Sequence, residues 1–211
     1  DVIANIFSNR SPELRLRDQE RILQPDWFQS EKAIGYVCYT DLFAKDLKAL
    51  RKKIDYLQEL GVTYLHLMPL LAPRQGANDG GYAVADYLSV KSELGTMKDL
   101  QDLASDLHDA GISLTLDLVL NHVAKEHEWA MKAKAGDKKY KEYFYTFKDR
   151  TIPDEYEKTL PEVFPTFAPG NFTFNDEMKE WVWTTFNEYQ WDVNWSNPEL
   201  FLEYVDVIGF L

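Results

Sequence analysis

The chain has 211 residues, enough for one sizeable core, and an ordinary apolar share of 45%. Its formal net charge of −12 argues against a nucleic-acid partner, whose phosphates it would repel. The single cysteine, Cys38, excludes an intrachain disulfide framework, and no apolar run approaches the roughly 18 residues of a membrane span.

Aromatic residues make up 14% of the chain, which fits either core filling or flat platforms for sugar rings or bases. Cys38 lies in the apolar run Ile34–Tyr39 and reads as a buried, inert thiol. Asp1 is not a start methionine, and nothing at the front has a signal peptide's basic-then-apolar layout, so a cytoplasmic location is expected. The Asn-x-Ser/Thr triplets at Asn171 and Asn194 read as chance occurrences.

Residues 1–32 mix charges with scattered apolar side chains. Arg10, Arg15, Arg17 and Arg21 alternate with acids, as on a solvated helical face, and the segment reads as a connecting arm from a preceding helical region. Ala33–Tyr39 is a short apolar run suited to a buried strand. Leu42–Leu60 has apolar residues at helical spacing, and Gly61 ends it. Val62–Met68 is a second strand, closed by Pro69, and Ala72–Gly81 reads as a loop. Met97–Ala110 is a second helix, with Thr96 as N-cap and Asp99 placed to reach back to it. Ile112–Leu120 is a third strand. This alternation is the pattern of a parallel sheet with helical crossovers, its strands apolar enough for burial on both faces.

The pattern breaks over 123–195, a stretch too long for an ordinary loop and too aromatic for disorder. It reads as an inserted subdomain. Residues 196–211 return to helical spacing, with Asn197-Pro198 as cap and first helical position. The expected division is therefore an arm at 1–32, three strand–helix units at 33–122, the subdomain at 123–195 and a helix at 196–211.

Asp117-Leu-Val-Leu-Asn121-His122 reads as the end of the third strand releasing polar groups together. Asp117 is either a structural acid tying a loop or part of a polar cluster, because a carboxylate there needs donors nearby. Asn78-Asp79-Gly80-Gly81-Tyr82 is either an ordinary turn or one that presents Asp79 and Tyr82 to a cavity. His122 and His127 are five apart, which is not the spacing that sets two imidazoles on one helical face, so no metal is expected. No phosphate-binding glycine loop is present, and no cofactor is expected. Trp181-Val-Trp183 alternates as a core strand or as a wall of aromatic faces.

Taken together, these segments resemble the α-amylase family, glycoside hydrolase family 13, and within it the amylosucrase branch. Asp117–His122 is similar to the family's third-strand motif. Gly81-Tyr82 with Asp86-Tyr87 and Leu94-Gly-Thr96 is similar to the stretch after the second strand, and Gln190-Trp-Asp-Val-Asn194 to the motif closing the inserted domain. Val37–Phe43, Tyr64–Pro69 and Trp181–Asn187 carry the amylosucrase likeness.

The resemblance implies the first three strands of a (β/α)8 barrel with a domain inserted after the third. It implies sucrose as glucosyl donor, α-glucan acceptors, α-1,4-glucan growth and a retaining mechanism. By position, His122 would contact the glucosyl ring and stabilise the transition state, Tyr82 would stack under that ring, Asp79 would close the pocket floor and Phe186 would form its wall. Asp117 and Asn121 would be structural at the site. The same likeness puts the nucleophilic Asp after a fourth strand and the acid/base Glu after a fifth, so the 211 residues are expected to be an inactive piece. Alternatives are a sucrose hydrolase or other α-glucosidase or α-amylase-type hydrolase of the same family, and a non-catalytic sugar-binding module.

Overall fold

A computed structural model describes residues 2–211. Asp1, at the head of the expected arm, lies outside the described residues. The chain forms two compact units. The first takes the residues up to Leu70 with Leu88–Asp117 and Tyr204–Leu211, and the second takes Leu71–Tyr87 and Leu118–Glu203. The second unit is thus wider than 123–195.

The arm folds into helices α1 (Val2–Asn9) and α2 (Pro12–Leu23). Ser11 caps α2 by accepting the Leu14 N–H, with Pro12 opening the first turn. No residue of α2 is buried. Arg21 stacks over Trp27 at 4.4 Å and donates to Ser113 Oγ at 2.9 Å.

Strand β1 (Gly35–Cys38) follows. Cys38 is half-buried rather than buried, and that burial pushes its thiol pKa up. The single helix expected over Leu42–Leu60 is three short ones: α3 (Thr40–Ala44), α4 (Leu47–Arg51) and α5 (Ile54–Glu59). Lys45 breaks the run with a φ of 79°, and Asp46 caps the next helix by accepting the Ala49 N–H at 2.7 Å. Leu47, Leu50, Ile54 and Leu57 all remain buried, so the apolar spacing outlives the breaks.

Beyond β2 (Tyr64–Leu67), the expected loop holds β3 (Leu71–Pro73), which pairs with β4 (Val84–Val90). Helix α6 (Met97–Asp109) has the full capping box between Thr96 and Asp99 and buries Leu100, Leu103 and Leu107. It leads to β5 (Ser113–Leu116), much shorter than Ile112–Leu120.

Strands β1, β2 and β5 form a parallel sheet in that order, with Tyr64 opposite both Gly35 and Ser113. This is the α/β arrangement of a partial barrel, open within the described residues. Burial on both faces is not observed: in β2, Leu65 and Leu67 are buried while Tyr64 and His66 are half-buried.

The second unit continues with β6 (His122–Ala124), α7 (Glu128–Lys134), α8 (Lys138–Lys141), β7 (Thr146–Phe147) and α9 (Thr151–Glu157). Next come β8 (Phe172–Asn175), β9 (Glu180–Trp183), β10 (Gln190–Asp192) and α10 (Pro198–Phe210), whose residues from Tyr204 on belong to the first unit. Asn197 Oδ1 accepts the Glu199 N–H at 2.9 Å at the head of α10. Strands β7, β9 and β8 form one antiparallel sheet, and β6 pairs antiparallel with β10. Val182 is fully buried, whereas Trp181 and Trp183 share the half-buried face. Those indoles are occupied by neighbours: Trp183 packs on Tyr145, Tyr156 and Phe172, and Trp181 on Phe174 and beneath Arg150. Asn171 is buried, and Asn194 donates to Glu142 O at 3.2 Å.

Candidate functional site

The candidate site lies in the second unit, and strand alternation builds it. In the β6–β10 pair, His122 lies opposite Asp192 and Ala124 opposite Gln190. Residues directly opposite share a face, as do residues two apart. His122, Asp192 and Gln190 therefore project to one side. Val123 and Trp191 project to the other, both buried, with Trp191 edge-on to Phe144 at 5.3 Å. One face is core and the other is polar.

The turn after β3 delivers the rest. Asp79, Gly80 and Gly81 take φ values of 54°, 66° and 96° in succession, a left-handed path that glycines allow cheaply and Asp tolerates. Asn78 Oδ1 accepts the Gly81 N–H at 3.0 Å and holds the path closed. Arg74 braces the turn from outside. It donates to Ala77 O, forms a two-pronged pair with Glu126 at 2.8 Å per prong, and stacks over Tyr189 at 4.4 Å.

Side chains from these elements, and the backbone carbonyl of Tyr82, converge on His122. Its Nε2 is 3.1 Å from Tyr82 O and 3.0 Å from Gln190 Nε2, and its Nδ1 is 3.2 Å from Asn121 Nδ2. Gln190 also donates to Asp79 Oδ2 at 3.1 Å. The Phe186 ring sits 5.0 Å from the imidazole, tilted by 56°. Burial pushes the His122 pKa down to about 4, against the opposing pull of Tyr82 O and Asp79. The ring is therefore neutral at pH 7. Asp192 is also buried. Its carboxyl pKa is raised by that burial, and it accepts from the Thr185 N–H at 3.0 Å, from the Thr185 hydroxyl and from Asn121 Nδ2 at 3.3 Å.

The structure thus brings together the side chains of His122, Asp79, Phe186 and Asn121 and the backbone carbonyl of Tyr82. Asp117 belongs to the first unit, where its N–H extends the ladder to Leu67 O at 3.1 Å. The expected release of Asp117, Asn121 and His122 from one strand end needs correction. The regular strand stops at Leu116, and His122 opens a separate strand whose partner is β10.

Arg74 is a part of the site that sequence reasoning did not name, and Gln190, Asp192 and Thr185 entered it only within the Gln190–Asn194 and Trp181–Asn187 motifs, with no site role. The usable signal was Gln190 and Asp192 flanking Trp191, since a polar side chain in a buried run must find partners. Among the described residues, no group of three or more His, Cys, Asp or Glu side chains is placed to hold a metal ion. Nor is any helix there long and apolar enough to cross a membrane. A carboxylate, a neutral imidazole, amides and an aromatic ring at one place suit a neutral polyhydroxylated ligand, which offers hydroxyls to the polar groups and C–H faces to the ring.

A family model described as alpha amylase, catalytic domain, matches residues 22–211. The chain belongs to the α-amylase family. It is 31% identical over 185 residues to a trehalose synthase of Pimelobacter sp. (strain R48), covering 84% of this chain and 31% of that protein. It is 30% identical over 168 residues to an oligo-1,6-glucosidase of Parageobacillus thermoglucosidasius, covering 78% and 28%. Among solved structures, the trehalulose synthase MutB from Pseudomonas mesoacidophila MX-45 superposes with a TM-score of 0.73 at 28% identity, covering 85% of this chain and 32% of that one. A MutB mutant in complex with the substrate sucrose gives 0.74 at 28% identity, covering 88% and 33%. The chain spans about a third of the length of these family members.

Proposed function

We propose that the polar face of β6 and β10, with the Asp79–Tyr82 turn, holds the terminal glucosyl unit of an α-glucoside, and that the whole protein transfers this unit from sucrose to α-1,4-glucan acceptors with retention. One observation carries the reading: three positions the family resemblance assigns to sugar contact lie together, with the Tyr82 carbonyl on the His122 ring, the buried Gln190 amide between that ring and Asp79, and Phe186 against the imidazole. In this reading His122 contacts the glucosyl ring and steadies the oxocarbenium-like transition state, Tyr82 supplies the platform, and Asp79 limits the pocket to one terminal unit. The nucleophile and acid/base carboxyl groups, about 5 Å apart in retaining enzymes, come from later strands of the whole protein. The sucrose complex of MutB supports sucrose as the donor.

The oligo-1,6-glucosidase among the relatives favours a second reading, hydrolysis of short α-glucosides. Incubating the full protein with sucrose, maltotriose and isomaltose separates the two. Fructose release with an insoluble glucan supports transfer from sucrose. Glucose release from isomaltose with sucrose untouched overturns it in favour of the hydrolase.

A further inference from the structure

We propose that Gln190 is a positioning residue which, together with Asn121, holds His122 as the neutral imidazole by setting amide NH2 groups against both ring nitrogens. Gln190 is fully buried, so its amide must be satisfied inside the protein. Its Oε1 accepts both the backbone N–H and the side-chain Nδ2 of Asn187, at 3.0 and 2.8 Å. A flipped amide would set its NH2 against two donors. The Nε2 side is therefore the one turned to Asp79 Oδ2 and to the His122 ring.

Asn121 is oriented in the same way. Its Nδ2 donates to Asp192 Oδ2, so the NH2, and not the oxygen, faces His122 Nδ1. Nδ1 must then accept, which leaves the ring proton on Nε2, where Tyr82 O receives it. A second ring proton could only sit on Nδ1, pointing at the Asn121 NH2, while Nε2–H would still lie beside the Gln190 NH2. Both nitrogens are thus flanked by amide donors whose orientations are set by other partners. Of the carboxylates facing the ring, Asp79 from the turn favours the imidazolium, but its Oδ2 is engaged by Gln190, and Oδ2 of Asp192 from β10 is engaged by Asn121. Geometry and burial act in one direction.

The inference concerns the site of the glucosyl-binding reading, yet its test does not need a sugar. In the full protein labelled with ¹⁵N at histidine, the His122 ring signals, assigned by their loss in His122→Ala, should report a neutral Nε2–H tautomer from pH 8 to pH 5. Gln190→Glu replaces the facing NH2 with a carboxylate, and the ring should then titrate above pH 6. Asn121→Asp should produce the same change from the other nitrogen, which covers failure of the first variant to fold. In activity, each variant should acquire an acid limb, with kcat/KM falling about tenfold per pH unit below the new inflection. A merely structural role would lower activity equally at all pH values. A wild-type ring that titrates near 6.5, or variants whose ring titration matches the wild type, would overturn the proposal. Inactivity on sucrose would overturn only the glucosyl-transfer reading.

Discussion

Replacing His127 with Asn asks how far a buried neutral ring holds the second unit together. His127 lies between the rings of Tyr87 and Trp129, at 5.5 and 4.5 Å, and its Nδ1 accepts the Trp129 N–H at 3.2 Å where α7 begins. Burial takes its pKa from 6.5 down to about 4, although Asp86 and Glu128 pull the other way. Between those two values the unfolded chain binds the proton and the folded chain does not. Its contribution is therefore intact above pH 6.5 and is lost progressively as the pH falls toward 4. At pH 5 this ring should have cost about 2 kcal/mol of stability relative to pH 7.5. Asn keeps a cap acceptor but does not titrate. At pH 7.5 the variant should be less stable by about 1 kcal/mol, from the lost ring contacts. At pH 5 the difference should have closed or reversed. Urea unfolding of the full protein at both pH values, followed by tryptophan fluorescence, measures it. A wild-type-to-variant difference that does not change with pH would refute the buried neutral ring.

Three further outcomes are expected. His122→Ala in the full protein should lower turnover by about a hundredfold or more, the scale of losing a transition-state contact, and a wild-type rate would remove His122 from the site. Arg74→Met should change the urea midpoint little, because its ion pair with Glu126 is partly solvated and worth under about 1 kcal/mol. It should instead raise KM by loosening the Asn78–Gly81 turn, so an unchanged KM would show that the brace is dispensable. Thr96→Ala removes the capping box of α6 and should cost about 1 kcal/mol in a thermal or urea melt, with kcat and KM untouched.

Much of the first unit was legible in the sequence because local signals and tertiary packing agree there. Thr96, Asp99 and Gly111 bracket α6, and its three buried leucines lie at helical spacing. Strand β4 escaped notice because its buried residues are Val84, Tyr87 and Val90, spaced by three, which is neither strand alternation nor a full helical face. The breaks at Lys45 and at Lys52-Lys53 left no mark, since the leucines on either side keep a helical rhythm. In the site, Asp79, Tyr82, Phe186 and His122 were named from motifs, but their meeting point was not. Gln190 is 68 residues from His122 and 111 from Asp79, and no local pattern joins residues at that distance.

The polar cluster also settles which register β6 and β10 adopt. With side chains alternating every two residues, a slip of one position would turn Gln190 and Asp192 toward Phe144 and the aromatic core, and would bring Trp191 to the face that now holds His122. The amide of Gln190 would lose Asn187 and Asp79 together, and Asp192 would lose Thr185 and Asn121. Each buried polar group stranded in this way costs about 1–3 kcal/mol, and a carboxylate costs more. A slipped pairing is therefore several kcal/mol less favourable even before Trp191 loses its burial. A three-residue strand pair has few backbone hydrogen bonds with which to specify its own alignment. The side chains that hold His122 supply that alignment, so site geometry and strand register are one constraint.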